Sequence, residues 1–128
     1  MLDHIGLTVS DFEKSRVFYL AALAPLGVDV VMEVTPEESG GGHHAGFGSQ
    51  GMPYFWIGTG DKPKGGTHVA FAAETRASVD AFYRAAMTAG GRDNGGPGLR
   101  PHYHPNYYGA FVLDPDGNNV EAVYHKPA

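Results

Sequence analysis

An internal repeat constrains this chain more than any other feature: shifted by 64 residues, its two halves fall on one another. His4-Ile5-Gly6-Leu7 meets His68-Val69-Ala70-Phe71, Phe18-Tyr19 meets Phe82-Tyr83, Ala21-Ala22 meets Ala85-Ala86, Gly27 meets Gly91, and Phe47 meets Phe111. A shared offset means one supersecondary unit used twice. With 128 residues there is room for one domain, read as modules of about 1–64 and 65–128.

Each half opens with an alternating segment. Ile5, Leu7 and Val9 share one face of a strand and His4, Gly6 and Thr8 the other; Val69 and Phe71 oppose His68 and Ala70 in the same way. A helix follows in both. Ser10-Asp11-Phe12-Glu13 has the form of a capping box, and the run it starts ends at Pro25 and Gly27. Thr75 or Ser78 caps the second helix, which carries Val79, Phe82, Tyr83 and Met87 and stops at Gly90-Gly91. Three short strands complete the first half, near 28–34, 46–49 and 53–58. In the second, a Gly- and Pro-rich stretch over 94–105 precedes strands at 110–113 and 118–124, joined by the hairpin turn Asp114-Pro115-Asp116-Gly117. The expectation is an α+β fold of two βαβββ modules forming a curved, partly open mixed sheet. Nineteen glycines and nine prolines suit such a turn-rich chain better than a helical bundle.

A formal charge of -5 with no basic run gives no footprint for nucleic acid or an anionic membrane, so a small molecule is the expected partner. The absence of cysteine excludes disulfides, thiolate zinc sites and a cysteine nucleophile; any metal must use His and carboxylate. No signal-peptide pattern or membrane-length apolar run is present, and a cytoplasmic protein is expected.

In the last strand Asn119, Glu121 and Val123 share a face. If helices cover one side of the sheet, His4, His68 and Glu121 all point to the other. A carboxylate inside an apolar strand is costly to bury unless paired or metal-bound. Two imidazoles and one carboxylate suit iron, manganese, zinc, nickel or cobalt, without choosing among these divalent ions.

The segments Leu2-Asp3-His4-Ile5-Gly6-Leu7-Thr8-Val9, Phe18-Tyr19, Thr67-His68-Val69-Ala70-Phe71 and Leu113-Asp114-Pro115-Asp116-Gly117-Asn118-Asn119-Val120-Glu121 resemble the vicinal oxygen chelate superfamily of glyoxalases, bleomycin-resistance proteins and extradiol dioxygenases. The resemblance implies paired βαβββ modules cupped around a divalent metal, often as a homodimer that builds each site from both chains, with His4, His68 and Glu121 as ligands. Glyoxalase I adds a fourth ligand, a Glu in the last strand of the first module. The 64-residue offset puts Ile57 there, which resembles the three-ligand branches more closely. Two functions follow: a metal-dependent dioxygenase, lyase, isomerase or thiol transferase acting on an oxygen-chelating substrate, or a metal-free binder of an aromatic or cationic compound.

Functional side chains also concentrate in the loop 100–108. Tyr107, Tyr108 and His102 are candidate acid–base groups, and Arg100 and His104 candidate substrate contacts, unless the loop is an aromatic interface patch. His102 and His104 can also chelate an adventitious metal. Trp56 reads as core or as a cavity wall touching substrate. His43-His44, after Gly40-Gly41-Gly42, read as a mobile surface turn, with a lid as the second reading.

Overall fold

A computed structural model describes residues 2–60 and 67–128, so the module boundary expected near residue 64 lies outside the described residues. The first module runs β1 (Ile5–Val9), α1 (Phe12–Leu23), a 3-10 turn (Ala24–Leu26), β2 (Asp29–Val34), the short α2 (Pro36–Ser39), β3 (His44–Ser49) and β4 (Met52–Thr59). The second runs β5 (His68–Ala72), α3 (Arg76–Thr88), β6 (Arg92–Asp93), β7 (Gly98–Leu99), β8 (Tyr108–Leu113) and β9 (Asn119–Tyr124). The sheets have matching orders, β1-β4-β3-β2 and β5-β9-β8-β6, with β7 an added pairing on β8. In each, the opening strand lies parallel to the closing one, and the other pairs are antiparallel. Two βαβββ modules thus form open mixed sheets, as the repeat requires.

Helix ends show why the chain breaks where it does. Asp11, not Ser10, caps α1, accepting from the Lys14 amide at 3.1 Å. Ser10 is drawn away: its hydroxyl donates to Asp116 in the β8–β9 turn at 2.6 Å. Thr75 caps α3 in a reciprocal box with Ser78, and Gly27, at φ 79°, lets the chain leave the 3-10 turn through the left-handed region. The short α2 escaped the sequence reading, although Thr35 and Glu38 make a capping box around Pro36.

One core joins the modules. Phe12, Phe18, Tyr19, Ala22 and Leu23 on α1 and Val79, Phe82 and Ala86 on α3 bury helical faces against the sheets and each other. Rings continue the contact, with Tyr19 on Phe55 (4.9 Å) and Phe55 on Phe71 of β5 (5.2 Å). The Tyr19 hydroxyl donates to the buried Asp114 carboxylate at 2.6 Å, tying α1 to the second module's hairpin turn; burial, and then Asp114, push that phenol's pKa well up. Asp114 also accepts from the amides of Asp116 and Asn118, so one carboxylate shapes the turn and locks the modules together. Among the described residues no helix is long and apolar enough to cross a membrane.

Candidate functional site on the second sheet

The central strand β9 carries Glu121, opposite Ala70 on β5 and Phe111 on β8. Val120 and Ala122 enter the helix-covered core, so alternation turns Glu121 to the open face, yet it is only 1% exposed. The loop after β7 covers it. Arg100 shapes this loop by donating to the carbonyls of Gly96 and Gly98, each at 2.8 Å, while its guanidinium lies over the Phe111 ring. The backbone then closes, Arg100 N–H donating to the Tyr107 carbonyl at 2.7 Å. Tyr107 is brought over the sheet and donates its hydroxyl to Glu121 Oε2. Burial first, then the carboxylate, push the Tyr107 phenol far above its ordinary pKa. That favours hydrogen-bond donation over proton transfer near neutrality.

His68 takes the other carboxylate oxygen, its Nε2 lying 3.1 Å from Oε1. Its Nδ1 is 3.2 Å from the Asn119 carbonyl, which can only accept. Both ring nitrogens therefore face oxygen acceptors, Nδ1 the Asn119 carbonyl and Nε2 the Glu121 carboxylate. Around this pair opens a cleft of about 630 Å³, rimmed by His102, Tyr103, His104, Tyr107, Phe111 and Asn119.

Other expected site residues lie elsewhere. Tyr108 points to the opposite face, donating to Asp80 on α3 at 2.6 Å beneath the Arg76 guanidinium. His104 lies on the cleft rim; the Asn106 amide donates to its Nδ1, and its Nε2 is 2.8 Å from His125 Nδ1. Trp56 is on the first sheet. His4 has a 59% exposed side chain paired with Asp3, and shares with His68 a separate cavity of about 610 Å³ beside β1 and β5. Among the described residues no three His, Asp or Glu side chains come close enough together to hold a metal ion. Within one chain, then, His68 and Glu121 converge and His4 does not, which does not fit a three-ligand centre.

Strand register corrects two sequence equivalences. Gly6 pairs with Trp56 and Ala70 with Glu121; Gly6 and Ala70 are 64 apart, but Trp56 and Glu121 are 65 apart. Trp56, not Ile57, is the counterpart of Glu121, and Ile57 is fully buried in the core. Likewise Gly46, not Phe47, corresponds to Phe111, because Gly46 faces Trp56 as Phe111 faces Glu121. The modules differ by one residue between their helices and third strands. His43 and His44 are also not a loose turn: His43 stacks on Phe12 at 3.9 Å, and His44 begins β3.

Asn119, Phe111 and His125 were missed as neighbours of the site. Asn119 was visible, since it shares the Glu121 face by parity. His125 carried no signal, because only folding of the loop brings His104 to it.

The model of the Glyoxalase/Bleomycin resistance protein/Dioxygenase superfamily matches residues 1–122. No curated protein matches the chain. Among solved structures, a glyoxalase/bleomycin resistance protein from Albidiferax ferrireducens T118 is similar at 30% identity and a TM-score of 0.77, over 94% of this chain and 96% of that one. A glyoxalase I mutant from Zea mays is 25% identical with a TM-score of 0.71, over 95% of this chain but 46% of that one. A glyoxylase/bleomycin resistance protein/dioxygenase domain from Frankia sp. EAN1pec, at 18% identity and a TM-score of 0.71, shares the fold over 98% of both chains.

Proposed function

Since this chain belongs to the Glyoxalase/Bleomycin resistance protein/Dioxygenase superfamily, we propose that it is a small-molecule-binding protein whose ligand presents a cationic donor to His68 and Glu121. The observation that carries this is the buried carboxylate at the floor of the cleft: Glu121 keeps Oε2 on the Tyr107 hydroxyl and Oε1 beside His68 Nε2, with aromatic side chains around it. A cationic group on the ligand would be attracted to the Glu121 charge, and the aromatic rim formed by His102, Tyr103, Tyr107 and Phe111 suits a ring behind it. Tyr107 holds the carboxylate in place, while Arg100 and His104 shape the rim. Among the described residues β1 and β5 each pair with one strand only, and we propose a homodimer that uses these sheet edges as its seam.

Calorimetric titration with benzylamine, a cation at neutral pH, tests the reading. Saturable binding is expected in wild type, weakened about tenfold in Glu121→Gln. Benzyltrimethylammonium, which has no N–H, should bind more weakly than benzylamine. Equal affinity in wild type and Glu121→Gln would overturn the reading.

One observation favours a metalloenzyme as the second reading. Two donors bonded to a single divalent ion at adjacent positions lie roughly 3.0–3.4 Å apart, and His68 Nε2 and Glu121 Oε1 have that spacing. The partner subunit's His4 would supply the third ligand across the seam. Iron, manganese, zinc, nickel or cobalt would then act as a Lewis acid on a substrate with neighbouring oxygens. Its separate test is whether a metal-bearing species survives only in the dimer.

A further inference from the structure

The tip of the loop beside the cleft, residues 101–106, turns its backbone bonds inward. The Tyr103 amide donates to the Arg100 carbonyl at 2.9 Å, and the Tyr107 amide to the His104 carbonyl at 3.2 Å. Among the described residues, the hydrogen bond that leaves the tip is the one between His104 Nε2 and His125 Nδ1, at 2.8 Å. His125 directly follows β9, so this bond ties the loop to the end of the strand that carries Glu121.

The direction of the bond is fixed. The Asn106 amide can only donate, and it lies 3.1 Å from His104 Nδ1, which must therefore offer its lone pair. A neutral His104 then carries its proton on Nε2 and donates to His125 Nδ1, which must offer a lone pair in turn. Both nitrogens of His104 are engaged, and neither is left for a metal ion. A proton on His104 Nδ1 would face the Asn106 N–H, and one on His125 Nδ1 would face the His104 N–H. The arrangement thus holds only while both rings are neutral, and imidazole is the side chain that ordinarily changes charge between about pH 5 and 8.

Other groups face the pair from each side. Tyr107 sets its ring against both imidazoles, at 5.4 and 5.2 Å. His68, His102, Tyr103 and Glu121 line the cleft with His104, and Glu74 and Lys126, opposite in charge, line a groove with His125. Among the described residues none of these is hydrogen-bonded to either ring, so none replaces the contact that a proton would break. We infer that His104 and His125 form a proton-released latch on the cleft, shut while both imidazoles are neutral and let go when either is protonated. Tyr107 stays on Glu121, because that bond uses no imidazole; what comes free is the tip carrying His102, Tyr103 and His104, which widens the mouth above the carboxylate. The latch holds above the imidazole range and is lost as pH falls through it, whatever ligand the cleft takes.

Nuclear magnetic resonance of the full chain tests this. A long-range proton–nitrogen correlation should show His104 protonated on Nε2 and bare on Nδ1 at neutral pH; the opposite tautomer overturns the latch. The steady-state proton–nitrogen NOE, which reports fast backbone motion, is then compared at about pH 7.5 and about pH 5. In wild type it should fall on acidification for the amides of residues 102–106 while Phe111 and Val112 on β8 keep theirs. His125→Ala should show the low values at both pH values. The double variant His104→Gln, His125→Asn, which keeps an amide donor and an amide acceptor but nothing that titrates there, should lose the pH response. An unchanged wild-type NOE, a fall that extends equally to β8, or the same acid response in the double variant overturns the proposal. No ligand is used, so this result and the benzylamine titration stand or fail separately.

Discussion

The two sheets are nearly interchangeable on one face and unrelated on the other. Toward the helices, Ala45, Phe47, Phe55 and Ile57 of the first sheet correspond to Ala110, Val112, Val120 and Ala122 of the second, and all are fully buried apolar residues. Toward the open side, Gly46 and Trp56 stand where Phe111 and Glu121 do. A repeated backbone packing on its own helix restricts the core face to residues that fill it. The open face has no such partner, and there the halves have become an indole set against Gly46 and a buried carboxylate beneath a loop.

The largest expected effect separates the sheets by their backbones. Between β3 and β4 the register shifts at Phe47 and Gly48, whereas β8 and β9 pair without a shift. A Cβ on Gly48 would run into the Met52 carbonyl and stand 2.9 Å from Pro53 Cα. Gly48→Val should therefore cost about 3 kcal/mol or more by urea denaturation. A cost within experimental error would mean that the bulge relaxes freely.

A smaller effect contrasts the open faces themselves. Tyr107→Phe leaves a buried carboxylate oxygen without its donor and should cost about 2 kcal/mol. Trp56→Leu removes a half-buried ring and should cost less than that. If the order is reversed, the half-buried indole contributes more to stability than the Tyr107 hydrogen bond to Glu121.

Alkaline pH sharpens the same contrast. Below about pH 10 the Tyr107 phenol is protonated in both the folded and unfolded chain. Above it, the unfolded chain releases that proton while the folded chain keeps it, because its pKa is raised by burial and by Glu121. Stability should therefore fall as pH rises past 10, and less steeply in Tyr107→Phe than in wild type. Identical slopes would show that the phenol is not held as described.

The smallest effect is on the first sheet's outer edge, where Arg16 pairs with Glu33 of β2 near solvent. Arg16→Ala should cost about 0.5 kcal/mol, diminishing further in salt.

Which parts were legible in the sequence follows from the same contrast. Paired strands and helices could be read because apolar alternation and caps are local, and the face of Glu121 followed from parity alone. The equivalence of Ile57 with Glu121 failed because parity is unforgiving: one residue of slippage moves a side chain to the other face. Ser10 was misread as a cap because its partner, Asp116, is remote in sequence. Tyr107 and Tyr108 were indistinguishable as neighbours in one loop, and only the pairing of β8 sends one to Glu121 and the other to Asp80. His4 followed the family pattern in sequence, but a single folded chain does not bring it to His68 and Glu121.

The most direct test of the central claim is ligand binding after metal removal. Protein purified without tags is stripped with a strong chelator, confirmed metal-free by elemental mass spectrometry, and titrated calorimetrically with benzylamine beside samples reloaded with iron, manganese, zinc, nickel or cobalt. The account predicts that the stripped protein binds as tightly as untreated protein and that reloading adds nothing. Binding lost on stripping and restored by one of these ions, with that ion absent from Glu121→Gln, would contradict it and establish the metal centre instead.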